Sequence, residues 1–142
     1  MIGNYVRLSI RKIIFLFKLK TKRRYLMDNW KYFSRTEIFG LDKILVSMLE
    51  YARGLAGFPI ILTNTVRTLE KNAQVGGAQN SSHLKGLAVD VQKPIGDFET
   101  MKLMWALGRA GFKRVFVYTK HIHADIDPDK VQDICLWMGD SH

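Results

Sequence analysis

A chain of 142 residues with 47% hydrophobic and 25% charged residues has the size and composition of one globular domain. Those proportions argue against a mostly disordered, collagen-like or disulfide-framework protein, and the lone cysteine, Cys135, leaves the redox compartment open. The formal charge of +9 first suggests a nucleic-acid or anionic-membrane partner, but its distribution points elsewhere.

Residues 1–26 hold Arg7, Arg11, Lys12, Lys18, Lys20, Lys22, Arg23 and Arg24 and no acid, whereas residues 27–142 carry 14 basic and 13 acidic residues. The sequence thus divides into a basic leader over 1–26 and a nearly neutral domain over 27–142, of which no specific nucleic-acid binding is expected. The leader's apolar run, Ile13 to Phe17, is too short for a bilayer span of about 20 residues or for a signal-peptide core of roughly 7–15. Lys18, Lys20 and Lys22 interrupt it, and no small-residue cleavage site follows. Three readings of the leader stay open: a solvated basic tail, an overlong gene start with Met27 as the natural initiator, or an amphipathic helix. The helix is suggested by the spacing of Val6, Ile10, Ile13, Ile14 and Phe17, and weak contact with an anionic membrane or cell wall is its expected role.

The neutral domain reads as α+β. Ser34 and Glu37 have capping-box spacing and predict a short helical entry. Leu41, Ile44, Leu45, Met48, Leu49, Ala52 and Leu55 form one face of a helix that ends near Gly54 and Gly57. Phe58 to Thr63 is a β-type run, and residues 64–82 read as a long polar loop, a length that usually signals function. Leu87, Val89 and Val91 alternate with Ala88, Asp90 and Gln92 and predict a half-buried strand with Asp90 off the core face, either exposed or in a polar pocket. Phe98 to Ala110 is a second helix stopped at Gly111; Val115 to Tyr118 and His121 to Asp127 are further strands. No coiled-coil pattern argues for an oligomer, so a monomer is expected.

Three of the four histidines, His83, His121 and His123, lie in segments that also carry carboxylates. A turn at Gly86 followed by a strand brings His83 toward Asp90. In a strand over 121–127, His121, His123, Asp125 and Asp127 share one face and Ile122, Ala124 and Ile126 the other. His83, Asp90 and His123 supply two imidazoles and a carboxylate, a common catalytic zinc set that leaves a fourth position for water; other divalent metals fit the same donors. The plainer alternatives are a surface His–Asp pair and, for Asp125, Asp127 and Asp129, a solvated acidic turn.

Ser81-Ser82-His83-Leu84-Lys85-Gly86-Leu87-Ala88-Val89-Asp90 matches S-x-H-x-x-G-x-A-x-D, and His121-Ile122-His123 supplies H-x-H. These segments, with Arg67-Thr68 and Gly76-Gly77 before them, resemble the zinc D-alanyl-D-alanine carboxypeptidases and related phage endolysin peptidases, over about residues 33–129. The resemblance implies a hedgehog/DD-peptidase-like fold, a small antiparallel sheet packed with helices. It implies one zinc ion on His83, Asp90 and His123, and action on bacterial peptidoglycan peptides. By the same resemblance Arg67 binds substrate and stabilises charge, Ser81 lies near substrate, and His121 is a general acid/base. Where some members carry an acidic base, this sequence has Lys120, so His121 or Asp125 must take that role; Val66 and Asn64-Thr65 also depart from the family pattern, which bears on specificity. The substrate implies action at the bacterial wall, and the lack of a convincing signal peptide implies synthesis in the cytoplasm, with release by lysis if the protein is phage-encoded. The alternative is a non-catalytic, metal-containing module of the same fold that binds wall peptides.

Overall fold

The fold is α+β, as the patterning predicts. The computed structural model describes residues 30–130 and 135–138, so the basic leader 1–26 and its three readings lie outside it. Tyr32–His142 group as one compact unit. Within it the order is α1 (Lys43–Ala56), β1 (Leu62–Asn64), α2 (Leu69–Gln74), a 3-10 turn (Ser82–Lys85), β2 (Ala88–Gln92), α3 (Asp97–Ala110), β3 (Arg114–Val117), β4 (His121–Asp125) and β5 (Cys135–Met138). Among the described residues, no helix is long and apolar enough to cross a membrane.

The two long helices follow their sequence signals. Asp42 caps α1 by accepting hydrogen bonds from the Ile44 and Leu45 N–H groups, at 2.8 and 3.4 Å. The helix buries Leu45, Val46, Leu49, Ala52 and Ala56 and stops at left-handed Gly57. Helix α3 buries Thr100, Leu103, Ala106 and Leu107 and stops at left-handed Gly111. Asp97 and Glu99 lie in its first turn, where the helix dipole favours acids.

The sheet runs β1-β2-β4-β3-β5. The first four strands pair antiparallel, and β5 joins parallel to β3. One face carries Val89, Val91, Val115, Val117, Ile122 and Ala124, all buried. With the buried stripes of α1 and α3 these make the core. Removing each valine, leucine or isoleucine side chain of this core from water contributes about 1.5–3 kcal/mol. The other face is the one that matters chemically, because cross-strand partners there stand side by side. One row across it reads Asn64, Asp90, His123, Phe116; the next pairs Ala88, Asp125 and Arg114.

Several expectations need correction. The Ser34–Glu37 capping box forms, with Ser34 N–H donating to Glu37 Oε2 at 2.8 Å and Glu37 N–H to Ser34 Oγ at 3.3 Å, but it closes a turn and no helix follows. The strand expected over Phe58 to Thr63 spans only Leu62–Asn64, starting later and ending one residue further on; Pro59 offers no ladder donor near the start of the expected run. The long loop contains α2, capped by the Thr68 hydroxyl. Strand β2 is buried on both faces up to Gln92, because it lies inside the sheet. Asp125 and Asp127 are buried, so they are not a solvated turn; only Asp129 is exposed.

The hinge of the arrangement is Gly86. It ends the 3-10 turn at φ 69°, and a Cβ there would collide with the Gly40 carbonyl oxygen, while its own carbonyl accepts from Asp42 N–H at 3.0 Å. Gly86→Ala should therefore destabilise by at least the ~1–2 kcal/mol of a left-handed alanine. Denaturant unfolding checks this; a change below about 0.5 kcal/mol, the level of an indifferent surface substitution, would contradict it.

Candidate metal centre

Three side chains from three elements converge. His83 comes from the 3-10 turn, Asp90 from β2 and His123 from β4, where it is the direct cross-strand partner of Asp90. His83 Nε2 lies 3.2 Å from Asp90 Oδ1 and 3.3 Å from His123 Nδ1, and His123 Nδ1 lies 2.9 Å from Asp90 Oδ1. His83 and Asp90 are buried, and His123 is half-buried.

The outer partners fix which nitrogens face inward. His83 Nδ1 stands 2.7 Å from the Thr65 carbonyl oxygen, which can only accept, so Nδ1 carries the hydrogen and Nε2 presents a lone pair. His123 Nε2 stands 2.9 Å from Asp125 Oδ2, so that nitrogen donates and Nδ1 presents its lone pair. Asp125 is itself gripped by Arg114, whose Nε donates to its two oxygens at 3.1 and 3.0 Å. Asp90 Oδ2 accepts from Asn64 Nδ2 at 2.9 Å and Arg67 Nη2 at 3.0 Å, leaving Oδ1 for the centre.

Two bare imidazole lone pairs and a carboxylate oxygen in mutual contact demand a positive charge between them. A tetrahedral zinc site with ligand distances of about 2.0–2.1 Å has ligand–ligand edges of about 3.3 Å. The triangle here, with edges of 2.9–3.3 Å, matches that spacing. The donor set, its burial and its carboxylate–histidine support all fit a divalent metal ion.

The remaining expected site residues gather around this triangle. A cleft of about 420 Å³ opens onto it, walled in part by Arg67, Ser81, Tyr118 and His121. His121 is half-buried and stacks on Tyr118, centroids 4.7 Å apart. Burial lowers its pKa below the usual imidazole value and outweighs the pull of Asp90, so it is neutral near pH 7. Ser81 precedes the 3-10 turn without capping it through its side chain. Arg67 pairs with Asp90 rather than with Glu70, and its backbone N–H also donates to the His83 carbonyl at 3.2 Å. Asp125 is no stand-in for the acid missing at Lys120, because it is fully buried behind His123 and occupied by Arg114. Asn64, Thr65 and Arg114 also support the site, and their sequence context carries no signal for that role. Thr65 acts through its backbone carbonyl, which accepts from His83 Nδ1 and has no side-chain signature.

The sequence matches the Peptidase M15 family over residues 29–125. The chain belongs to the peptidase M15 family. No curated protein matches it. In this M15 peptidase the matched span contains every residue of the triangle and its supports, from Asn64 to Asp125.

Another network holds the His83 turn in place. Ser82 Oγ donates to Asp127 Oδ2 at 2.8 Å, and Lys85 Nζ donates to Asp127 Oδ2 at 2.9 Å and Asp129 Oδ2 at 2.8 Å. The turn is thereby tied to the chain leaving β4.

Two predictions concern metal binding. Asp125→Asn should weaken affinity by about 10–100-fold, the usual effect of disturbing a histidine's outer partner; competition with a chelator measures it, and affinity unchanged within about twofold would contradict the role of Asp125. His123 supplies a pH signature. Burial opposes its protonation, but hydrogen bonds to Asp125 and Asp90 prevail and raise its pKa above 6.5. The metal-free fold therefore gains stability from the protonated ring below pH 6.5 and loses it as pH rises through the raised value. Metal must displace that proton, so affinity should rise with pH over the same range, with proton release. Calorimetry in buffers of different ionisation enthalpy reads the proton; a buffer-independent heat at pH 6.5 would contradict this.

Proposed function

We propose that the chain is a zinc-dependent peptidase hydrolysing peptidoglycan stem peptides or cross-links at the bacterial wall. The observation that carries this reading is the cleft in which a two-histidine, one-aspartate triangle lies open beside His121 and Arg67. Family membership supports hydrolysis of peptide bonds. Zinc held by His83, Asp90 and His123 would supply Lewis acidity there and make water nucleophilic near neutral pH.

The chain's own residues do the rest. Asp90, fixed by Asn64 and Arg67, keeps one oxygen on the metal side, and its negative charge offsets part of the ion's charge. Arg67 spends Nη2 on Asp90 and has further N–H donors at the cleft wall, suited to a peptide carboxylate or to charge developing on a carbonyl oxygen. Neutral His121 can take a proton from the attacking water on a ring nitrogen and return it to the leaving amine. Its stacking on Tyr118 limits the ring's rotation. The Ser81 hydroxyl offers a hydrogen bond to the substrate backbone.

The alternative, a metal-containing module that binds wall peptides without cutting them, draws on Lys120, an exposed cation where some relatives carry the base. One experiment separates the readings: metal analysis combined with mass spectrometry of digested muropeptides. The peptidase reading expects one zinc per chain and cut stems. His83→Ala and His123→Ala should lose both zinc and cutting. His121→Ala should keep the zinc and lose about 10²–10⁴-fold in kcat. Full zinc occupancy with intact muropeptides in the parent protein would establish the alternative, and parent-like turnover in His121→Ala would remove that residue from the mechanism.

A further inference from the structure

One wall of the cleft lies outside the sheet. Gly77 and Ala78 line the cleft from the stretch between α2 and the 3-10 turn, with Arg67 shortly before α2 and Ser81 just before the turn. Helix α2 has six residues, and its one buried residue is polar: Asn72, 4% exposed. A helix this short is not stable alone, and α2 buries no apolar side chain to anchor it. The hydrogen bonds of Asn72 tie this segment down. Its carbonyl accepts from Gly77 N–H at 2.8 Å, and its Nδ2 donates to the Ala78 carbonyl at 2.8 Å. The Ala78 carbonyl also accepts from Ser81 N–H at 3.0 Å. One residue thus fixes two consecutive residues of the wall.

We infer that Asn72 is a positioning residue for substrate: it sets the Gly77–Ala78 wall, and through it how tightly substrate is held, without acting on the metal. This rests on the peptidase reading above. Two further observations favour a role in the cleft over one in the core. Asn72 Oδ1 is buried and, among the described residues, has no hydrogen-bond partner, a cost that an apolar side chain of the same shape would not carry. Gly77 leaves room for that oxygen: a Cβ there would collide with it, although Gly77 is not in a left-handed conformation. The triangle has separate anchors. His83 is held by the Thr65 carbonyl and by Arg67 N–H, and its turn by Asp127. A shift of the Gly77–Ala78 wall therefore leaves the metal ligands in place.

The test measures muropeptide cleavage by the zinc-loaded full chain, with zinc affinity read by chelator competition and folding by thermal unfolding. Asn72→Ala removes the donor to Ala78. Gly77→Ala pushes the same side chain aside. Each should raise KM about five- to tenfold, the scale of one lost hydrogen bond, with kcat and zinc affinity within about twofold of the parent. The double variant should be no worse than either alone, because both changes break one contact; effects that multiply would overturn the inference. A KM within about twofold of the parent in the folded single variants would overturn it too, as would a fall in zinc affinity that parallels the rise in KM. Gly77→Ala carries the test should Asn72→Ala not fold. A parent chain that cuts no muropeptide would overturn the peptidase reading, and the inference with it.

Discussion

Asp90 and His123 face each other on neighbouring strands, and His83 is folded down between them by a left-handed turn. That places three electron-rich atoms within 3.3 Å of one another in a largely buried site. Left alone, such a cluster is repulsive, since each atom has lost water and faces another lone pair. A proton relieves it in part, which is why His123 holds one above the usual imidazole pKa. A divalent cation relieves it more fully. The rest of the domain is arranged to keep this cluster from relaxing.

Each residue of the triangle is held by a partner, and Asn64, Arg114 and Asp125 among these partners are set by the sheet. The slip in register between Leu62 and Asn64 sets Asn64 opposite Asp90, where regular pairing would set it opposite Val89 and the core. Arg114 is the cross-strand neighbour of Asp125 and so reaches it from β3 without a loop intervening. Lys85 and Ser82 anchor the His83 turn on the buried Asp127. The valine, isoleucine and alanine face beneath, packed with α1 and α3, gives these polar contacts a rigid floor. Polar groups that form a satisfied network specify one geometry; the same groups half-satisfied would be costly.

Much of this was legible in the residues. The alternation through Leu87–Gln92 and His121–Asp127 places Asp90, His121 and His123 off the core face, although the second strand ends at Asp125, and Gly86 marks the turn that returns His83 to Asp90. The helix periods and their glycine stops were equally plain. What escaped has physical reasons. Asn64 depends on a register slip, which leaves no periodic trace. Thr65 acts through a carbonyl that every residue possesses. Arg114 and Asp125 are eleven positions apart and meet only across a strand pair. A row of aspartates at 125, 127 and 129 resembles a solvated turn until the sheet buries the first two. Strand β5 lies parallel to β3, and parallel pairing between distant segments carries no local signal.

X-ray absorption at the zinc edge of the metal-loaded chain tests the central claim most directly, because it reads the donor atoms themselves. The triangle predicts one zinc per chain with two imidazole nitrogens at about 2.0–2.1 Å, light oxygen donors completing a four-coordinate shell, and no sulfur. A sulfur shell at about 2.3 Å, for which Cys135 is the lone cysteine source in the sequence, or a shell without imidazole would contradict the site.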